Sequence, residues 1–145
     1  MILPGSEPGI DPGDEVVSLE CSADAIELAT IRGALRGWLL NRSIVGAKAD
    51  DLLIVLNEIA SNAVDASPPH ATMTARWWVE GEHIVLSVDD SGSGFEYRHT
   101  EPVGPTSLRG RGLNVVEALS DRLQVTADGH RTTVTAWTAV GGPVA

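Results

Sequence analysis

Four polar side chains interrupt one strongly apolar stretch. Between Asp50 and Ser67 (DDLLIVLNEIASNAVDAS), the residues Asp51, Glu58, Asn62 and Asp65 recur at offsets of seven, four and three. On a helix they fall within roughly 60° of one another. A solvated helix face would be wider and would carry Lys or Arg, yet no basic residue follows Lys48 in this stretch. Glu58 and Asn62 are therefore candidates for work on a ligand. From this stretch alone the exposed edge of an amphipathic helix explains them equally well. Two further segments widen the question. Asp90-Ser91-Gly92-Ser93-Gly94 places a carboxylate at a strand end, before two glycines that let a ligand come close to the backbone. Gly110-Arg111-Gly112-Leu113 opens a helix, where converging N–H groups favour an anion such as phosphate. A tight turn would account for either glycine pair. Neither fits GxGxxG, since Tyr97 and Val115 stand at the third glycine, and no GxxxxGK[ST] occurs.

The elements that must position these residues follow from pattern. Leu52, Leu53, Val55, Leu56, Ile59, Ala60 and Ala63 give Asp50–Ser67 a broad apolar face, with Asp50 or Asp51 as cap and Pro68-Pro69 as its end. Upstream, Met1–Asp14 repeats Pro-Gly three times and reads as a mobile or loosely docked tail. Val16–Cys21 is expected to be a strand. Ser22 is expected to cap a helix to about Leu40, with Ile26, Ala29, Ile31, Ala34, Leu35, Trp38 and Leu39 as its apolar residues. Gly33 and Gly37, four apart, could admit a close neighbour, while Arg32 and Arg36 default to solvent. Downstream, Ala71–Val79 and His83–Asp90 form a hairpin around Glu80-Gly81-Glu82, with Trp77 and Trp78 on opposite faces as packing residues. Ser91–Arg109 is a long loop of the kind that is functional or mobile. Gly112–Ser120 is a helix, Asp121–Asp128 and Arg131–Thr138 form a closing hairpin, and Val140–Ala145 is a tail. The order predicts an α+β two-layer sandwich, with one mixed, mostly antiparallel sheet and the helices packed on one face. Residues 15–139 form the single domain between the tails 1–14 and 140–145.

Composition narrows the class. The 145 residues carry 20 acidic and 10 basic side chains, a formal charge of −10, which disfavours direct nucleic-acid binding. The single cysteine, Cys21, excludes an internal disulfide and a cysteine-based zinc site, and reads as a small buried hydrophobe. No apolar run is long enough to span a membrane, and MILPGSEPG lacks the features of a signal peptide. A soluble cytoplasmic protein is expected, with no membrane partner.

In this order, Glu58-x-x-x-Asn62, Asp90-x-Gly92-x-Gly94, Gly110-x-Gly112-Leu113 and Thr132 resemble the nucleotide boxes of the GHKL (histidine-kinase-like) ATPase superfamily, whose domains have the Bergerat-type ATP-binding fold. The resemblance covers about residues 16–138. The short chain, the run GRGLNVVEALSDRL and Arg32…Trp38-Leu39 are most similar to the anti-sigma-factor serine/threonine kinases. Two positions depart from that group. Asp65-Ala66 looks more like MutL or a chaperone, since these kinases often carry a non-acidic residue at Asp65. Arg131 replaces a common glycine.

The resemblance implies ATP and Mg²⁺ as cofactors, with Glu58 as catalytic general base and Asn62 as the metal ligand. It implies that Asp90 accepts from the adenine amino group, that Gly92 and Gly94 make room for the base, and that Gly110 and Gly112 lie under the phosphates. Thr132 supports Asp90 or a bridging water. Asp65, Ala66, Phe95 and Leu113 join the cofactor-binding set by position in the same boxes. Arg109 and Arg111 are the nearest cations to the phosphates, as clamps or as solvated side chains, and His99 is solvated. The implied function is an ATP-binding anti-sigma factor that phosphorylates an anti-anti-sigma partner and regulates transcription by partner switching, with a homodimer common in the group. The alternative is a non-catalytic, nucleotide-dependent protein-binding module. A MutL- or gyrase-type fragment is disfavoured for want of a following transducer domain. A complete histidine kinase is disfavoured because none of His70, His83, His99 and His130 falls on a dimerising helix.

Overall fold

The computed structural model describes residues 15–91, 110–128 and 131–141. Residues 1–14, 92–109, 129–130 and 142–145 lie outside the described set. The chain runs β1 (Val17–Ser22), a 3₁₀ turn (Ala25–Glu27), α1 (Leu28–Asn41), α2 (Ala47–Ala66), β2 (Thr72–Glu80), β3 (His83–Ser91), α3 (Gly110–Leu119), β4 (Arg122–Asp128) and β5 (Arg131–Ala139). The five strands form one sheet in the order β1-β2-β3-β5-β4. Every pairing among the described strands is antiparallel, and the short β2–β3 and β4–β5 connections demand it for those two pairs.

Strand alternation sorts side chains to two faces. On the inner face, one row across the sheet is Val17, Trp77, Leu86, Ala136 and Leu123, and the next is Leu19, Ala75, Val88, Val134 and Val125. These rows meet Leu52, Val55, Leu56, Ile59, Ala60 and Ala63 of α2 in the core. α2 also packs against α1 and α3, so it is the central element of the helical layer. The opposite face is covered by its own long side chains. Trp78 and Trp137 both donate their indole N–H to the Glu80 carboxylate, each at 3.1 Å. Val85, between them in register, is buried, and the Arg122 guanidinium lies 4.3 Å over the Trp137 ring. Trp77 and Trp78 thus fall on opposite faces, both buried, as packing residues.

Several local expectations change. Ser22 closes β1 by pairing with Thr72, and Asp24 is the cap, accepting from the Ile26 N–H at 3.1 Å. The helical segment therefore begins with a tight turn, and Ile26 (76% exposed) and Ala29 stay outside the core. α2 starts at Ala47, three residues before the expected start. Gly46, at φ 76°, reverses the chain, and Ala47-Lys48-Ala49 are strong helix formers. Asp50 consequently sits in the first turn, where a carboxylate suits the helix dipole, and does not cap. Gly33 and Gly37 admit no close neighbour, since a Cβ at either would meet nothing within 4 Å. Arg32 is not simply solvated, because its Nη1 donates to Asn57 Oδ1 at 2.7 Å and ties α1 to α2. Cys21 is half-buried. Burial, and then the neighbouring Glu27 and Glu20, push its thiol above the usual pKa, which fits an inert residue. No helix among the described residues is long and apolar enough to cross a membrane.

The glycines give a test with two signs. Gly33 lies inside α1 with open space around it, so Gly33→Ala should raise stability by up to about 1 kcal/mol. Gly81 turns the β2–β3 hairpin at φ 64°, so Gly81→Ala should lower it by about 1 kcal/mol through backbone strain alone. Urea denaturation of both variants should shift the two midpoints in opposite directions.

Candidate functional site

The inner-face column of β3 reads Ile84, Leu86, Val88 and then Asp90, so period-two alternation carries a carboxylate onto the apolar side. The matching column of β5 runs Ala136, Val134 and then Thr132, which lies directly opposite Asp90. The third row of the sheet is therefore Cys21, Met73, Asp90, Thr132 and Ala127, an otherwise apolar row with a polar pair at its centre. Asp90 is 3% exposed and Thr132 is 9% exposed. A carboxylate taken this far from water must be met by hydrogen bonds. One such contact comes from Ser67 Oγ, 3.2 Å from Asp90 Oδ1.

The last two turns of α2 cover this row. Ile59, Asn62, Ala63 and Ala66 from the helix, with Val88, Asp90, Thr132 and Val134 from the sheet, enclose a cavity of about 20 Å³. That is enough for one water, and the polar groups needed to hold it are present. Four residues singled out in the sequence, Asn62, Ala66, Asp90 and Thr132, are thereby brought together from three separate elements. Asn62 Nδ2 is buried and has no hydrogen-bond partner among the described residues. A buried amide donor at such a cavity has room to bond to a water or to a bound polar group.

The other expected residues fall elsewhere. Glu58 lies one turn before Asn62 and is half-buried, outside the cavity lining. Asp65 is exposed and does not reach the cavity. Leu113 is 1% exposed, within the core. Gly110, Arg111 and Gly112 open α3, two residues ahead of the expected start, so the glycines occupy the N-terminal turn of a helix that packs on α2. Gly92, Gly94, Phe95, His99 and Arg109 lie outside the described residues. Among the described residues, no group of three or more His, Cys, Asp or Glu side chains forms a metal site.

Two contributors escaped the sequence. Ser67 reads there only as a helix terminus, although its position five residues after Asn62 places it over the same end of the sheet. Asp89 is the second. It faces the opposite side from Asp90, where Arg76 at 3.0 Å, Arg131 at 3.5 Å and Thr133 hold its carboxylate. Arg131, which departs from the resembled pattern, thus has a structural partner. The alternation Val85, Ser87, Asp89 was the available signal that two adjacent acids would have different surroundings.

The family profile described as the histidine kinase-like ATPase domain matches residues 21–137. No curated protein sequence gives a significant match. Among solved structures, the chain is similar to the RsbU and RsbW domains of Rv1364c from Mycobacterium tuberculosis, at 20% identity and a TM-score of 0.65 over 90% of this chain. It is also similar to the histidine kinase domain of the blue-light activated histidine kinase of Erythrobacter litoralis EL346, at 18% identity and a TM-score of 0.54 over 79% of this chain. The matches span 34% of the first structure's chain and 59% of the second's. At these identities they show a shared fold.

The Asn62 Nδ2, without a partner among the described residues, yields a stability test. A buried unsatisfied group costs about 1–3 kcal/mol, so Asn62→Leu, of similar branching and shape, should leave the protein without nucleotide as stable or more stable. Thermal denaturation checks this. A marked loss of stability would make Asn62 a structural residue.

Proposed function

The chain belongs to the family of histidine kinase-like ATPase domains, and from that premise we propose that residues 15–139 form an ATP-binding unit that transfers phosphate to a protein serine or threonine. The observation that carries this reading is the meeting of Asn62, Ala66, Asp90 and Thr132 at one cavity, with Glu58 a turn away on the same helix. The family and its kinase-type structural relatives support the kinase character. The sequence resemblance supports the finer assignment, an anti-sigma factor that phosphorylates an anti-anti-sigma partner and switches between it and a sigma factor. The RsbW domain in one structural neighbour agrees with that assignment.

ATP, with Mg²⁺, would supply an activated phosphoryl group whose transfer depends mainly on positioning and charge neutralisation. Asn62, which lines the cavity, would hold the metal through its carboxamide oxygen. Because Mg²⁺ keeps waters and phosphate oxygens as ligands, a single protein ligand of this kind is enough. Asp90 would accept a hydrogen bond from the adenine amino group. Guanine presents a carbonyl at that place and would leave two acceptors facing each other. Thr132, adjacent in register, would support the Asp90 carboxylate or a bridging water in the cavity. Glu58 would take the proton of the attacking hydroxyl, from a position toward the N-terminus of α2 and clear of the base pocket. The glycines at 110 and 112 would set the N-terminal turn of α3 under the phosphates.

Nucleotide choice tests the base pocket. Asp90→Asn should weaken ATP binding about 10- to 150-fold, the worth of a hydrogen bond to a charged group. Calorimetry on the parent should show ATP well preferred to GTP, and equal affinities would remove Asp90 from this role. Transfer of labelled γ-phosphate to a cognate anti-anti-sigma protein separates chemistry from binding. Glu58→Ala should lose about 10²–10⁴ in transfer rate while ATP affinity stays within a few-fold, and Asn62→Ala should impair both. Full transfer by Glu58→Ala, or none by the parent with a verified partner, would favour the non-catalytic binding module.

A further inference from the structure

We propose that residues 1–14 of this chain dock back onto the groove between the end of α1 and the start of α2, with Ile10 seated in it and Asp11 at its basic rim. Leu39, Leu40, Ile44, Val45, Ala49 and Leu53 line the groove, which holds about 170 Å³. An apolar cavity of about 150 Å³ takes a benzene-sized guest, so one branched side chain fits here. Leu40 is 56% exposed and Val45 62%, so two large apolar side chains meet water at its mouth. Covering them is favourable in proportion to the apolar area removed from water.

Charge selects the occupant. Residues 28–49 hold Arg32, Arg36, Arg42 and Lys48 and no acid, in a chain whose formal charge is −10. Arg36 lines the groove, is exposed, and forms no ion pair among the described residues. The N-cap of α2 is Gly46, which offers no side-chain acceptor to the first N–H groups of that helix. Asp50 is the one acid on the lining, and it sits in the first turn of α2, where the helix dipole offsets its charge. Residues 1–14 carry Glu7, Asp11 and Asp14 and no Lys or Arg, and Ile10 stands directly before Asp11. An apolar side chain next to a carboxylate matches an apolar groove with a basic rim. Topology supplies the reach. The last turns of α2 cover the Asp90 end of the sheet, so its first turn lies toward the other end, where the chain enters β1 at Val17. Ile10 precedes Val17 by seven residues, which span up to about 23 Å when extended, or two packed layers of about 10 Å each. Pro12 favours extended backbone at Asp11 and so preserves that reach. A tether this short gives an effective concentration of about millimolar, so a weak contact suffices.

The test uses the full 145-residue chain without nucleotide, so it does not depend on the reading of the nucleotide site. Ser6→Cys combined with Cys21→Ala gives a single attachment point for a nitroxide label beside the proposed anchor. The amide NMR signals of Leu40, Val45 and Gly46 should lose most of their intensity to the label. That of Thr126, on the edge strand β4 at the far side of the sheet, should keep it. Adding Ile10→Ser should restore the groove signals. Should Cys21→Ala disturb β1, the unlabelled parent and Ile10→Ser alone are compared, and their shift differences should concentrate at the same three amides. A mixture of labelled chain with isotope-enriched, unlabelled chain separates the segment from a second copy, and should show no attenuation. Full intensity at the groove, attenuation that survives Ile10→Ser, equal attenuation in the mixture, or no shift difference at the three amides overturns the proposal.

Discussion

The packing of α2 across the central strands is the constraint on which the rest depends. Val55, Leu56, Ile59 and Ala60 are at most 1% exposed, and they sit on the inner rows of β2, β3 and β5. The helix is long enough, at 20 residues, that its apolar stripe locks both its rotation and its axial position. Small residues close the contact at the end that matters. Ala60, Ala63 and Ala66 let the last turns lie near the sheet, and the cavity opens where Asp90 and Thr132 interrupt the apolar rows. A half-residue shift of this helix would move Asn62 off the cavity, so stability of the core and geometry of the site come from the same contacts.

The sheet manages its buried acids by contrast. Asp89 and Asp90 are 5% and 3% exposed, on opposite faces of the most protected strand. Asp89 is embedded among two arginines and a threonine hydroxyl, an arrangement that neutralises it and braces β2, β3 and β5. Asp90 faces α2, where the Ser67 hydroxyl lies 3.2 Å from its Oδ1. Desolvating either carboxylate is costly. For Asp89 fixed cations offset that cost, and for Asp90 a hydroxyl contributes.

The face away from the helices is not left as bare backbone. Glu80 receives both indole N–H groups of Trp78 and Trp137, and Ser87 and Thr135 share a hydrogen bond at 3.2 Å. Large side chains lying flat thus bury β3 on both sides, which explains why Val85 is as protected as Leu86. The rigidity of β3 fixes the end of the strand that carries Asp90.

Much of this was legible in the residues. Apolar period and turn chemistry are local, and they specified three helices, two hairpins and the face on which Asn62 lies. The boxes around Glu58, Asn62, Asp90 and Thr132 pointed to nucleotide chemistry, and the family match agrees with that reading. The helix starts were less legible. Asp24 rather than Ser22, and Gly46 rather than Asp50, decide them, because neighbouring polar residues compete for one cap and tertiary packing chooses. The depth of Asp90, the burial of the Asn62 amide nitrogen and the two acceptors near Ser67 Oγ could not be read at all. Each depends on which residues from distant segments meet across the sheet, and the chain sets that only when α2 settles on β3 and β5. Sequence by itself determined the types of group and their local spacing. Tertiary structure alone decided which of them lose water together, because desolvation belongs to the folded surface and not to any segment of the chain.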